Sequence, residues 1–196
     1  SQADAMHVDL WVNGTNFLVD AGSYSYNSIP DLSGYFNGTA SHNTVQFDDR
    51  DQMPKLGRFL FGNWLKAKHV SSIAASDSLV SCSASYRDFR GAEHFRQINL
   101  NSGSLSVFDE VKGFKKKAVI RWRLTESKWV PEYTKNGVQV SNGLNTLSVT
   151  SDVPILRADI VDGWKSQFYM QKQSVPVLEV EFGSAGKIST EFSWAS

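Results

Sequence analysis

The chain has 196 residues, in which 20 lysines and arginines balance 20 aspartates and glutamates. That balance speaks against nucleic acid as a partner, because neutralising phosphates needs a basic excess. Hydrophobic residues make up 41%, enough for one sizeable core, and no apolar run approaches the roughly 18 residues of a membrane-spanning helix.

Met6, Val8, Leu10 and Val12 alternate with His7, Asp9 and Trp11 and predict a strand. Asn13-Gly14 then predicts a tight turn into a second strand at Phe17-Leu18-Val19. From Ser23 to Ser41 the alternation lapses and Gly, Ser, Asn and Tyr dominate. A loop of that length in a compact domain is usually functional or packed against a neighbour. Period-two alternation resumes at Val45 and Phe47, then at Val80, Cys82, Ala84 and Tyr86. It recurs at Ala118, Ile120, Trp122 and Leu124, and again at Val138 and Val140. The turn Asn142-Gly143 leads to Leu147 and Val149. Leu178, Val180 and Phe182, and finally Ile188, Thr190, Phe192 and Trp194, complete the series. No helical stripe of three turns is present. Strands punctuated by turns predict an all-β antiparallel sandwich, taken as one domain over 1–196. The lone cysteine, Cys82, reads as a small buried hydrophobe. The chain opens at Ser1-Gln2-Ala3-Asp4 with neither an initiator Met nor a signal peptide, which predicts a fragment of a longer protein.

Phosphate loops, dinucleotide glycine patterns, His-Glu-x-x-His and Gly-x-Ser-x-Gly are all absent. Asp20 ends an apolar strand before Ala21-Gly22, where it reads either as a turn residue bonding its own backbone or as a ligand. His42 lies between Ser41 and Asn43, just before a strand. Together the two would offer Zn²⁺ a carboxylate and an imidazole, and spacing alone names no third ligand. His7 shares a strand face with Asp9 and reads as an ordinary polar position; His69 and His94 lack a carboxylate pattern and read the same way. Tyr24, Tyr26, Tyr35 and Phe36 either stack on sugars or pack the long loop onto the sandwich. Arg50 and Arg58 flank the following segment, and a guanidinium recognises carboxylate or sulfate with two bonds. Lys115-Lys116-Lys117 reads as a solvated loop. Asn13-Gly14-Thr15 and Asn37-Gly38-Thr39 match the glycosylation pattern but read as turns.

Three blocks carry a resemblance: Ala3-Asp4-Ala5-Met6, Val19-Asp20-Ala21-Gly22-Ser23-Tyr24-Ser25-Tyr26-Asn27, and Thr39-Ala40-Ser41-His42-Asn43-Thr44-Val45. With Asp51-Gln52-Met53-Pro54 and the tail from Asp162 to Val180, they resemble the C-terminal β-sandwich of the heparinase II/III family of bacterial polysaccharide lyases. The resemblance covers nearly the whole chain. It implies a large two-layer antiparallel supersandwich that follows an N-terminal α/α-toroid. It also implies β-elimination of heparin-like, heparan-like or other uronic-acid polysaccharides, in which a base removes the C5 proton and an acid protonates the leaving oxygen. In the family a toroid tyrosine and an interface histidine do this work. The main base is therefore expected outside this chain, and the isolated chain is expected to be inactive. Tyr24, Tyr26, Asn43 and Arg50 are the expected substrate contacts. Asp20 and His42 match two ligands of a structural zinc site. Gln2 stands where the family's pattern has a histidine ligand, which implies a weakened metal. A periplasmic or secreted location follows from the same resemblance. The alternative is a non-catalytic carbohydrate-binding or structural module.

Overall fold

A computed structural model describes residues 2–25, 30–57 and 60–195, with only the backbone for 30–33. A first hairpin joins β1 (Leu10–Val12) to β2 (Thr15–Leu18). Its turn uses Asn13 and Gly14 at φ 50 and 80, the left-handed pair that a two-residue hairpin turn requires. A short helix, α1 (Pro30–Asn37), and a 3-10 turn (Thr39–Ser41) lead into β3 (Val45–Phe47). The strands that follow are β4 (Lys66–Val70), β5 (Ala74–Ala75), β6 (Val80–Arg87), β7 (Glu93–Leu100) and β8 (Ser104–Lys112). Then come β9 (Ala118–Arg123), β10 (Val130–Thr134), β11 (Gly137–Ser141) and β12 (Asn145–Ser151). β13 (Ile155–Lys165), β14 (Gln173–Phe182) and β15 (Gly186–Trp194) end the chain.

These strands form a nine-stranded sheet in the order β10-β11-β12-β15-β8-β7-β6-β4, with β5 beside β6, and a four-stranded sheet in the order β13-β14-β9-β3. Every strand pair is antiparallel. The sheets pack face to face, as the alternation predicts. Leu105, Val107, Leu147, Val149, Ile188 and Phe192 of the wide sheet meet Ile120, Trp122, Leu178, Val180 and Phe182 of the narrow one. Full burial of each such side chain stabilises the fold by about 1.5–3 kcal/mol. Trp122 Nε1 donates across the layers to Thr190 Oγ1 at 3.2 Å. β9 is buried on both faces, because the segment around α1 covers Arg123 and its neighbours from outside.

Three local expectations give way. The first strand begins at Leu10 rather than Met6: Met6 takes φ 60, and the His7 N–H closes a turn on the Asp4 carbonyl at 2.9 Å. The long loop contains α1, whose eight residues are too few for a three-turn stripe; Pro30 at its first position fits the helix start. Cys82 is only half-buried. Its strand lies toward one end of the wide sheet, beside the exposed edge strand β4. The outermost strands of the wide sheet, β4 and β10, are exposed along their whole length. β4 carries a register shift between Ala67 and His69.

Candidate metal centre

Three segments from different parts of the chain converge at one end of the narrow sheet. Asp20 follows β2, His42 closes the 3-10 turn before β3, and His7 lies in the turn before β1. His42 Nδ1 donates to Asp20 Oδ1 at 2.7 Å, and His7 Nε2 lies 3.4 Å from the same oxygen. The Gly22 N–H donates to the other carboxylate oxygen at 2.9 Å. The two imidazoles meet edge to face, with centroids 5.3 Å apart. His42 is 0% exposed. Among the described residues, this trio is the cluster of His, Cys, Asp and Glu whose ligand atoms lie close enough to hold an ion.

Asn43 organises the trio. Its N–H donates to His7 Nδ1 at 2.8 Å. Its side-chain amide donates to the carbonyls of Val8 and Val19, at 2.8 and 3.3 Å. The amide oxygen accepts the Arg123 N–H at 2.6 Å. Behind it stands a buried ion pair: Arg96 Nε and Nη2 bond the two Asp109 oxygens at 2.7 and 3.0 Å. Arg96 Nη1 reaches across to the carbonyls of Met6 and Asn43, at 2.7 and 2.8 Å. His94 Nε2 completes the Asp109 shell at 2.6 Å. One guanidinium thus holds the backbone next to both histidines of the trio.

Burial works against the charged form of Asp20, but the hydrogen bond and charge of His42 and the Gly22 N–H prevail and hold its carboxyl well below the usual range. Burial likewise pushes His7 down to about 4 against the opposing pull of Asp20, so it is a neutral imidazole at physiological pH. An ionised carboxylate and imidazole nitrogens are the donor types that zinc takes. The 2.7 Å contact between His42 and Asp20 is a hydrogen bond. Two ligands of one tetrahedral ion with bonds near 2.0–2.1 Å would stand roughly 3.3 Å apart, so seating an ion would displace a proton and open this contact by a fraction of an ångström.

Asp20 and His42, paired from sequence, are brought together. Gln2 is not in direct contact with them: its amide donates to the carbonyls of Gly22 and Phe36, at 3.3 and 3.4 Å, so only its oxygen remains to offer a cation. His7, read from sequence as an ordinary polar strand position, joins the trio instead. The expected substrate contacts scatter. Tyr24 stacks on Phe36 at 5.6 Å, and Tyr26 lies outside the described residues, as does Arg58. Asn43 is 0% exposed with both amide hydrogens given to backbone carbonyls, so it serves the scaffold. Arg50 pairs with Asp88 at 2.5 Å and lies over the Phe89 ring; its Nη2 stands 3.9 Å from Asp48 Oδ2, and neither Nε nor Nη2 has a hydrogen-bond partner among the described residues. Arg96 and Asp109 escaped the sequence reading, and His94, read there as an ordinary polar position without a carboxylate, is buried against Asp109. The one available signal is that His94, Arg96 and Asp109 sit at alternating positions that an apolar face would normally fill.

The sequence matches the family model described as "Heparinase II/III-like, C-terminal" over residues 1–195. No functionally curated protein matches it. Among solved structures, the heparan sulfate lyase HepC from Pedobacter heparinus superposes with a TM-score of 0.79 at 20% identity, covering 100% of this chain and 31% of that one. A structure of heparinase III gives a TM-score of 0.75 at 18% identity, covering 100% and 30%. A heparinase III gene product with methylated lysines gives 0.78 at 15%, covering 98% and 30%. The chain therefore spans less than a third of the length of these relatives, and identities this low speak to fold alone.

Proposed function

The chain belongs to the heparinase II/III-like C-terminal family, and on that premise we propose that it is the β-sandwich part of a polysaccharide lyase acting on a uronic-acid-containing polymer by β-elimination. The match to that family model over residues 1–195 carries the reading. An upstream α/α-toroid would supply the tyrosine that abstracts the C5 proton beside the uronate carboxylate, and the sandwich would close the cleft. A periplasmic or secreted location is inferred from the family alone. Asp20 and His42 would hold a Zn²⁺, with Gln2 beside them; when bound, the ion would supply fixed positive charge that ties the three segments of the rim together. The residues around it keep the carboxylate ionised and the histidines in register.

Two measurements test this. A protein carrying the toroid should generate the ultraviolet absorbance of an unsaturated uronate from at least one of heparan sulfate, chondroitin, hyaluronate or alginate. Purified chain should contain near-stoichiometric zinc, lost on His42→Ala. A second reading, a non-catalytic glycan-binding module, draws support from the commitment of His42 and Asn43 to the buried scaffold. It stands if glycans bind and none is cleaved.

A further inference from the structure

We propose that His7 is a positioning residue: it presents an Nε2–H to Asp20 and offers no lone pair to a cation. The argument rests on hydrogen-bond polarity. A backbone N–H only donates, and that of Asn43 points at His7 Nδ1 from 2.8 Å. Nδ1 therefore carries the lone pair, and the single proton of the neutral ring sits on Nε2. Nε2 faces Asp20 Oδ1 at 3.4 Å, and it has no other partner among the described residues. That is a long contact, a dipole directed at an ionised carboxylate more than a full hydrogen bond.

Ligating histidines ordinarily donate their second N–H to a carbonyl or carboxylate. His7 has the reverse polarity. A cation on Nε2 would move the ring proton to Nδ1, against the Asn43 N–H, and set two buried donors face to face. Turning the ring over would put a carbon there instead and orphan the same N–H. The backbone has no freedom to relieve this, because Arg96 Nη1 bonds the carbonyls of Met6 and Asn43 together. Asn43 further ties Val8 and Val19 with its side chain.

The part of this inference that concerns a cation rests on the zinc reading above; the tautomer does not. The test uses the chain labelled with ¹⁵N-histidine. Long-range proton–nitrogen spectra of the metal-free protein should show His7 protonated on Nε2. Adding Zn²⁺ should leave that pattern in place while the His42 signals move. In a chelator competition His7→Ala should weaken Zn²⁺ about 10–100-fold, as loss of an outer-shell partner does. His7→Gln, which keeps an N–H at the same reach, should recover most of it, and His42→Ala should abolish binding. A His7 proton found on Nδ1, or lost from Nε2 on adding Zn²⁺, overturns the proposal. So does a His7→Gln variant as defective as His42→Ala. If the wild-type chain takes up no Zn²⁺, the metal reading fails, and the metal-free spectrum alone decides the role of His7.

Discussion

Arg96 crosses from the wide sheet to the backbone on either side of the site, so its loss would be felt at two levels. Arg96→Met leaves Asp109 buried with His94 alone and frees two buried carbonyls. Breaking a buried pair in this way costs about 3–5 kcal/mol, and urea unfolding should register a loss of that size. His94 adds a pH dependence. Burial holds its pKa below the ordinary 6.5, with Asp109 pulling the other way. The unfolded chain therefore binds more protons than the folded one as pH falls through the ordinary histidine range. The stability this group contributes is present above that range and lost below it, and His7 acts in the same direction. With a chelator present, the urea midpoint should drop between neutral pH and about pH 5, and His94→Asn should flatten that slope.

At the scale of elements, the tip of the β13–β14 hairpin is joined to the Asp20 arm through Gly22. Gly22 forms an isolated bridge with Ser166, and the Ser166 N–H bonds the Ala21 carbonyl at 2.7 Å. Gly22 takes φ +73, and a Cβ there would collide with the Ser166 carbonyl oxygen. Gly22→Ala should thus cost roughly 2–4 kcal/mol, from backbone strain and overpacking together. It should also disturb the Gly22 N–H that holds Asp20. An unchanged denaturation midpoint would refute this account of the bridge. Sequence made some elements plain and hid others. Leu147 to Val149 and Leu178 to Phe182 were legible because one face of each is buried and the period is two; Ala118 to Leu124 was legible because Arg121 and Arg123 break the apolar run at every second place, although both its faces are buried. The break at Met6 was not, because a left-handed non-glycine residue has no sequence signature. Asp20 and His42 stood out as strand-end polar residues. His7 and Arg96 could not, since the bonds that define them span 36 and 53 residues; tertiary contact alone gives them their roles.

For the whole molecule, the first hairpin and two connecting segments leave large apolar side chains in the open. Trp11, Leu60, Trp64, Phe168 and Met170 are all more than half exposed, while the solved relatives are about three times as long as this chain. Large exposed apolar patches mark interaction surfaces. If the proposed toroid docks here, the isolated chain should scatter light at concentrations where a protein carrying the toroid does not. Equal scattering from both would remove the support that these side chains lend to a docked domain. The wide sheet meets a different hazard at its ends. Unpaired strand borders recruit foreign strands and seed fibrils. The slip in pairing between Ala67 and His69, with Lys66 and Lys68 beside it, and Pro131 at the opposite border each spoil the flat template that such recruitment needs. Deleting Lys68 would straighten the first border and place a continuous row of free amides in solution, so amyloid-dye fluorescence on prolonged incubation is the behaviour this small irregularity holds in check.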